Sequence, residues 1–152
     1  MVELKLYGDF MKEGIKVKGL LQIFDAKTNE LLFEKNNLVL NTGLALMVDN
    51  MKVSTAVLTH IAVGTGTTAV IATDTALETE LYRKAVTNID TLANVLTVET
   101  QMNAIEANAI WKECGILTAS SGGILFNRIN IDFNKTSADV VNIKFTITLT
   151  VS

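Results

Sequence analysis

The residues in this chain that could do chemistry are few and scattered. They are one histidine, His60, one cysteine, Cys114, a glycine–threonine run at Gly64-Thr65-Gly66-Thr67-Thr68, and two groups of oxygen ligands. A phosphate-binding loop needs a lysine directly after its last glycine and a hydroxyl for magnesium, and no lysine follows until Lys84. A dinucleotide fingerprint needs a third glycine opening a helix, which is missing too. The two glycines are better read as loop positions free to take positive φ. His60 would serve as a general base if Ser54 or Asp74 stood beside it. No G-x-S-x-G elbow exists, and its place between Leu58 and Ile61 predicts a packed or partly exposed strand imidazole.

Cys114 lies in an apolar run, where a free cysteine is an ordinary core residue. An activated thiol needs a nearby cation, and Lys112 is two positions away. Asp25, Asn29 and Glu30 lack the alternating spacing of a calcium loop and are explained by a turn. Asp132, Asn134 and Asp139, around Lys135-Thr136-Ser137, make a second polar loop. Trp111, Tyr7, Tyr82 and six phenylalanines are too sparse to predict a platform that stacks on sugars. No catalytic, cofactor-binding or metal-ligating residue is therefore expected, and no small-molecule substrate.

A chain of 152 residues, 49% apolar, fits one domain with a real core, since a domain of this size buries roughly 70% of its unfolded surface. A single cysteine excludes a disulfide within the chain and leaves a cysteine-based zinc site without partners. A net charge of -3 and a pI near 5.1 argue against a nucleic-acid backbone as partner. No run approaches the ~20 apolar residues of a membrane span. Charges within Met1 to Asp9 break any signal-peptide core, so synthesis in the cytoplasm is expected. Proline is absent, where average usage would give about seven. Turns must then be made by Gly, Asn, Asp and Ser, and strand edges lack proline's protection against pairing.

The elements that must position these residues are mostly strands. Val141, Ile143, Phe145, Ile147, Leu149 and Val151 alternate with polar residues, the period of a strand with one face in a core. Runs over 109–117 and 124–131 flank Ser120-Ser121-Gly122-Gly123 and predict a hairpin. Runs over 83–89 and 95–102 predict another, and 15–24 with 30–34 flank the turn Asp25 to Asn29. Asn41 or Thr42 is expected to cap a helix reaching Met51, with Leu44, Met47, Val48 and Met51 on its buried face. Thr73 or Asp74 is expected to cap a second helix over 76–82. Residues 103–108 fit either helix or loop. The expected fold is mainly β, an antiparallel, jelly-roll-like β-sandwich with two short helices. Residues 1–14 are expected to be an N-terminal arm, or else part of the domain, and 15–152 a single domain.

From Asn37 onward the chain resembles small structural proteins of tailed bacteriophages. The resemblance starts at Asn37-Leu38-Val39-Leu40-Asn41-Thr42-Gly43-Leu44. Its centre is Thr59-His60-Ile61-Ala62-Val63-Gly64-Thr65-Gly66-Thr67-Thr68, followed by Ala72-Thr73-Asp74-Thr75-Ala76-Leu77. It continues in Arg83-Lys84-Ala85-Val86, Val95-Leu96-Thr97-Val98-Glu99 and Glu113-Cys114-Gly115-Ile116-Leu117, where Cys114 stands in place of an expected alanine. Ser120-Ser121-Gly122-Gly123-x-Leu125-Phe126-x-Arg128 and the alternating last strand close it. The resemblance implies a non-enzymatic virion component that self-associates as a symmetric homo-oligomer and docks to other virion proteins. A tail, baseplate or collar accessory role leads, with capsid decoration or a head fibre behind it. A module binding host-surface glycan or protein is the alternative from another class. The long C-terminal strand and the arm Met1 to Phe10 are the expected contact surfaces.

Overall fold

The computed structural model describes residues 14–54 and 56–151. Among them are nine strands: β1 (Ile15–Asp25), β2 (Leu31–Val39), β3 (His60–Gly64), β4 (Glu80–Ala85), β5 (Asn88–Leu92), β6 (Val95–Met102), β7 (Ala109–Leu117), β8 (Leu125–Lys135) and β9 (Val141–Val151). One helix, α1 (Asn41–Lys52), separates β2 from β3. The strands form a single curled antiparallel sheet in the order β4-β3-β7-β8-β2-β1-β9-β6-β5. The mainly β expectation holds. The N-terminal arm expected over 1–14 lies, Gly14 apart, outside the described residues.

The curl turns on β2. Its residues Leu31 to Asn37 pair with β1, whereas Leu38 and Val39 pair with Arg128 and Asn127 of β8. At the fork the Asn37 side chain lies over Gly19, where a Cβ would be 1.6 Å from its oxygen, so a larger residue would have to displace that side chain. The two ends of the sheet then come together. Thr100 of β6 donates its hydroxyl to the Ala85 carbonyl of β4 at 2.7 Å. Just two residues carry the chain between these ends: Val86 donates its N–H to Thr59, and Thr87 to Glu99. The strand predicted over 83–89 is thus two strands on opposite edges of the sheet. Both halves suit a strand, and nothing local marks the crossing.

Inside the curl lies the main core, with Leu21, Ile23, Val63, Ile116, Ile143 and Phe145 at its centre. Trp111 is buried there, its ring 5.4 Å from Phe133 and its Nε1–H donated to the Ala107 carbonyl. Residues 103–108 form a turn rather than a helix. The buried Lys135 ammonium donates to the Asn103 carbonyl and to Asn108 Oδ1, both at 2.8 Å, and pins the turn. β9 runs between β1 and β6. Both of its edges are occupied, so this strand offers a partner a side-chain face and no open ladder.

The helix packs differently from its apolar pattern. Thr42 does not cap it; its hydroxyl donates to the Leu125 carbonyl at 2.6 Å, and Leu40 holds the cap position without a side-chain bond. Gly43 lies so close to β8 that a Cβ there would be 2.2 Å from the Phe126 carbonyl oxygen. That approach turns Gly43 and Leu46 inward. Of the predicted apolar face, Met47 packs partly buried against the core, whereas Leu44, Val48 (65% exposed) and Met51 (87% exposed) face outward, against expectation. The second predicted helix is absent: residues 72–79 are turns and loop. The N–H groups of Glu78 and Thr79 bond the Glu113 side chain, and that of Asp74 bonds the Ile71 carbonyl.

Gly43→Ala should lower stability by about 1–3 kcal/mol through overpacking against the Phe126 carbonyl, although alanine is the better helix former. A denaturation midpoint equal to or above that of the parent protein would contradict this packing.

Candidate functional site

Two of the sequence features singled out above, the Gly64 to Thr68 run and Asp74, meet at one place, the outer face of β3, β7 and β8. Residues 65–79 cross that face without regular structure. A loop of this length inside a compact domain requires something to hold it. Part of the hold is apolar: Leu77 and Val70 close over Leu40, Ala62, Leu117 and Leu125. Gly115 makes room beneath, where a Cβ would sit 2.5 Å from the Asn127 carbonyl oxygen.

The rest is ionic and buried. Glu113 of β7 is fully buried. Its Oε1 accepts the N–H groups of Gly66 (3.1 Å) and Thr79 (2.7 Å), and its Oε2 accepts the Glu78 N–H (2.9 Å) and Arg128 Nε (2.9 Å). Gly64 and Gly66 are required here, since a Cβ on either would lie 2.6 Å from Glu113 Oε1. Arg128 of β8 is likewise buried. It donates to Asp74 Oδ2 at 2.9 Å and to the Thr68 carbonyl at 3.0 Å, with the Glu78 carboxylate 3.9 Å away. Burial opposes its charge, but the bonds to Asp74 and Glu113 outweigh that and raise its proton affinity. Glu78 accepts both the N–H and the hydroxyl of Thr68 at 2.7 Å. Asn130 completes the set, donating to the Thr68 carbonyl and accepting the Val70 N–H, both at 3.0 Å.

Chemically, this cluster is closed. A general acid or base must present a proton or a lone pair to a reacting group. Both oxygens of Glu113 are engaged twice, and the guanidinium is shared among three segments of the chain. The arrangement works as a clasp that fastens the 65–79 loop to the sheet.

The other candidates remain apart. His60 opens β3 half-buried, its Nδ1 2.8 Å from the Thr59 hydroxyl. Asp74, its suggested partner, is committed to Arg128 and to the Ile71 N–H. Burial pushes the Cys114 thiol far above its ordinary pKa, and Lys112 pairs with Asp132 at 2.8 Å instead. Asp25 accepts the N–H groups of Lys27 and Thr28 within its own turn, and Asp139 accepts the Thr136 N–H and hydroxyl. Among the described residues, no group of three or more His, Cys, Asp or Glu side chains is placed to hold a metal. No helix among them is long and apolar enough to cross a membrane.

Sequence reasoning missed Glu113 and Arg128 as a pair. The signal was a charge at a buried position in each of two strands joined as a hairpin, Glu113 beside Cys114 and Arg128 between Asn127 and Ile129. Comparison with known proteins adds nothing further: no family model, curated protein or solved structure matches the chain.

Arg128→Met should cost about 3–5 kcal/mol in chemical denaturation, because it strands the Glu113 carboxylate without its charge partner. A loss below about 1 kcal/mol, the range of exposed ion pairs, would show that the clasp is not holding the fold.

Acid should loosen the same region. Thr68 holds the Glu78 carboxyl below the ordinary glutamate value of 4.5, and Lys84 does the same for Glu106. Both pKa values are lowered by folding, so their contribution is present above the unfolded value and is lost as pH falls through the folded one. Thermal stability should therefore fall below about pH 4.5, and Glu78→Gln should flatten that fall. An identical acid profile for the variant would exclude Glu78 as a source.

Proposed function

We propose that this chain is a non-enzymatic structural component of a bacteriophage or phage-like particle, acting by self-association and docking. We also read its curled sheet as a jelly-roll-like β-sandwich, with β4, β3, β7 and β8 facing β1, β9, β6 and β5. One observation carries the proposal. The runs by which the chain resembles phage structural proteins supply Gly64, Gly66, Thr68, Asp74, Glu113 and Arg128, and these residues close one rigid clasp with no reactive group left over. A pattern spent on stiffness suits a building block.

Two surfaces suit docking. Leu44, Val48 and Met51 make an exposed apolar stripe on α1. Strand β5 ends the sheet and carries neither proline nor lysine, the usual guards of an open edge. Symmetric repetition multiplies weak contacts of this kind. A tail, baseplate or collar accessory position is preferred, with capsid decoration or a head fibre as the alternative. The burial of Trp111 against Phe133 counts against a stacking platform for host glycans at that residue.

Mass spectrometry of density-purified particles after prophage induction should find the protein at stoichiometric abundance, and a label read by electron microscopy should place it on head or tail. Its absence from intact particles would overturn the proposal.

A further inference from the structure

Lys135 is buried to 1% exposure with neutral oxygens around its ammonium. Its Nζ donates to the Asn103 carbonyl and to Asn108 Oδ1, both at 2.8 Å, and to the Thr136 carbonyl at 3.5 Å. Burial favours the uncharged amine. The charges of Asp139 and Glu106 act the other way, and burial prevails, so the proton affinity is lowered. An uncharged lysine amine is a nucleophile. The side chain it touches, that of Asn108, is an acyl group with ammonia as its leaving group. The Asn108 carbonyl carbon is one C=O bond of ~1.23 Å beyond Oδ1, so it lies within about 4 Å of the amine. Reacting atoms in a near-attack arrangement are about 3–3.5 Å apart, and a small side-chain shift closes the difference.

The fold holds the two groups together. Ala109, next to Asn108, pairs with Lys135 across the ladder of β7 and β8. On the other side of Asn108, Ala107 is fixed by the Trp111 indole, which donates to its carbonyl at 2.7 Å. Ala107 stands at φ 53°, a left-handed conformation that a residue with a Cβ adopts at a cost. Asn108 Nδ2 donates to the Ala104 carbonyl at 2.9 Å, which orients the amide with Oδ1 toward the amine. Asn108 itself is exposed, so a departing ammonia meets solvent. A chain with one cysteine has no disulfide with which to staple itself.

We propose that Lys135 and Asn108 join in an intramolecular isopeptide bond that staples the 103–108 turn to the end of β8. Lys135 Nζ attacks Asn108 Cγ, a C–N bond forms and the Cγ–Nδ2 bond breaks. Two protons of the lysine ammonium leave with Nδ2 as an ammonium ion. Nothing is oxidised or reduced, and no further reactant is consumed. The inference stands independently of any particle. Mass spectrometry of the denatured full-length chain should find it lighter than its sequence by one ammonia. A tryptic digest should yield a branched peptide joining the two residues, uncleaved after Lys135. Lys135→Arg, which keeps the charge, should restore the full mass, as should Asn108→Ala. A parent chain at its full sequence mass would overturn the proposal, and that measurement needs no variant to fold. Loss of ammonia that survives Lys135→Arg would overturn it too, because it would come from an asparagine closing on its own backbone.

Discussion

The buried pair of Glu113 and Arg128 is the constraint on which the rest of this structure depends. Taking two charges out of water is expensive, and the cost is offset only when each remaining lone pair and proton finds a partner. Here the partners come from the backbone of the 65–79 loop. The loop is held because the charges need it, and the charges are tolerated because the loop is there. Each half would be unfavourable alone. The glycines at 64, 66 and 115 follow from this demand, since they let the loop and the strands come close enough for the bonds to form.

A second polar anchor works differently. Lys135 at the end of β8 ties down the 103–108 turn through a carbonyl and an amide, neither of them a carboxylate. Burial lowers its proton affinity, which is the ordinary consequence of a cation desolvated among neutral dipoles. Glu106 in the same turn is engaged by Lys84, Tyr82 and the Asn103 N–H. One strand, β8, therefore supplies the cation for both anchors, Arg128 near its start and Lys135 at its end. Two irregular segments, 65–79 and 103–108, are thus fixed to one strand.

How much of this was legible in the sequence depended on the range of the interaction. β9 and the β7–β8 hairpin could be read from period-two alternation and turn residues, because both are local signals. The helix was legible as a helix, but its buried face was not. The apolar stripe suggested Leu44, Met47, Val48 and Met51, of which Met47 packs against the core, and a backbone contact at Gly43 decided the orientation. The predicted second helix failed because Glu78 and its neighbours are bound by Thr68 and Glu113, the latter 35 residues downstream. The clasp was illegible for the same reason. It requires the register of β7 on β8 and the path of a loop far away in sequence, and neither can be read from a local pattern.

The pairing of β1 with β9 has its own consequence for how the molecule comes into being. Ile15 lies opposite Val151 and Asp25 opposite Val141, so one of the longest ladders in the sheet joins its first strand to its last. During synthesis β1 waits, with one flank served by β2 and the other bare, until β9 has been made. Sheets dominated by such distant pairings fold slowly, and exposed strand edges in the interval invite association with other chains.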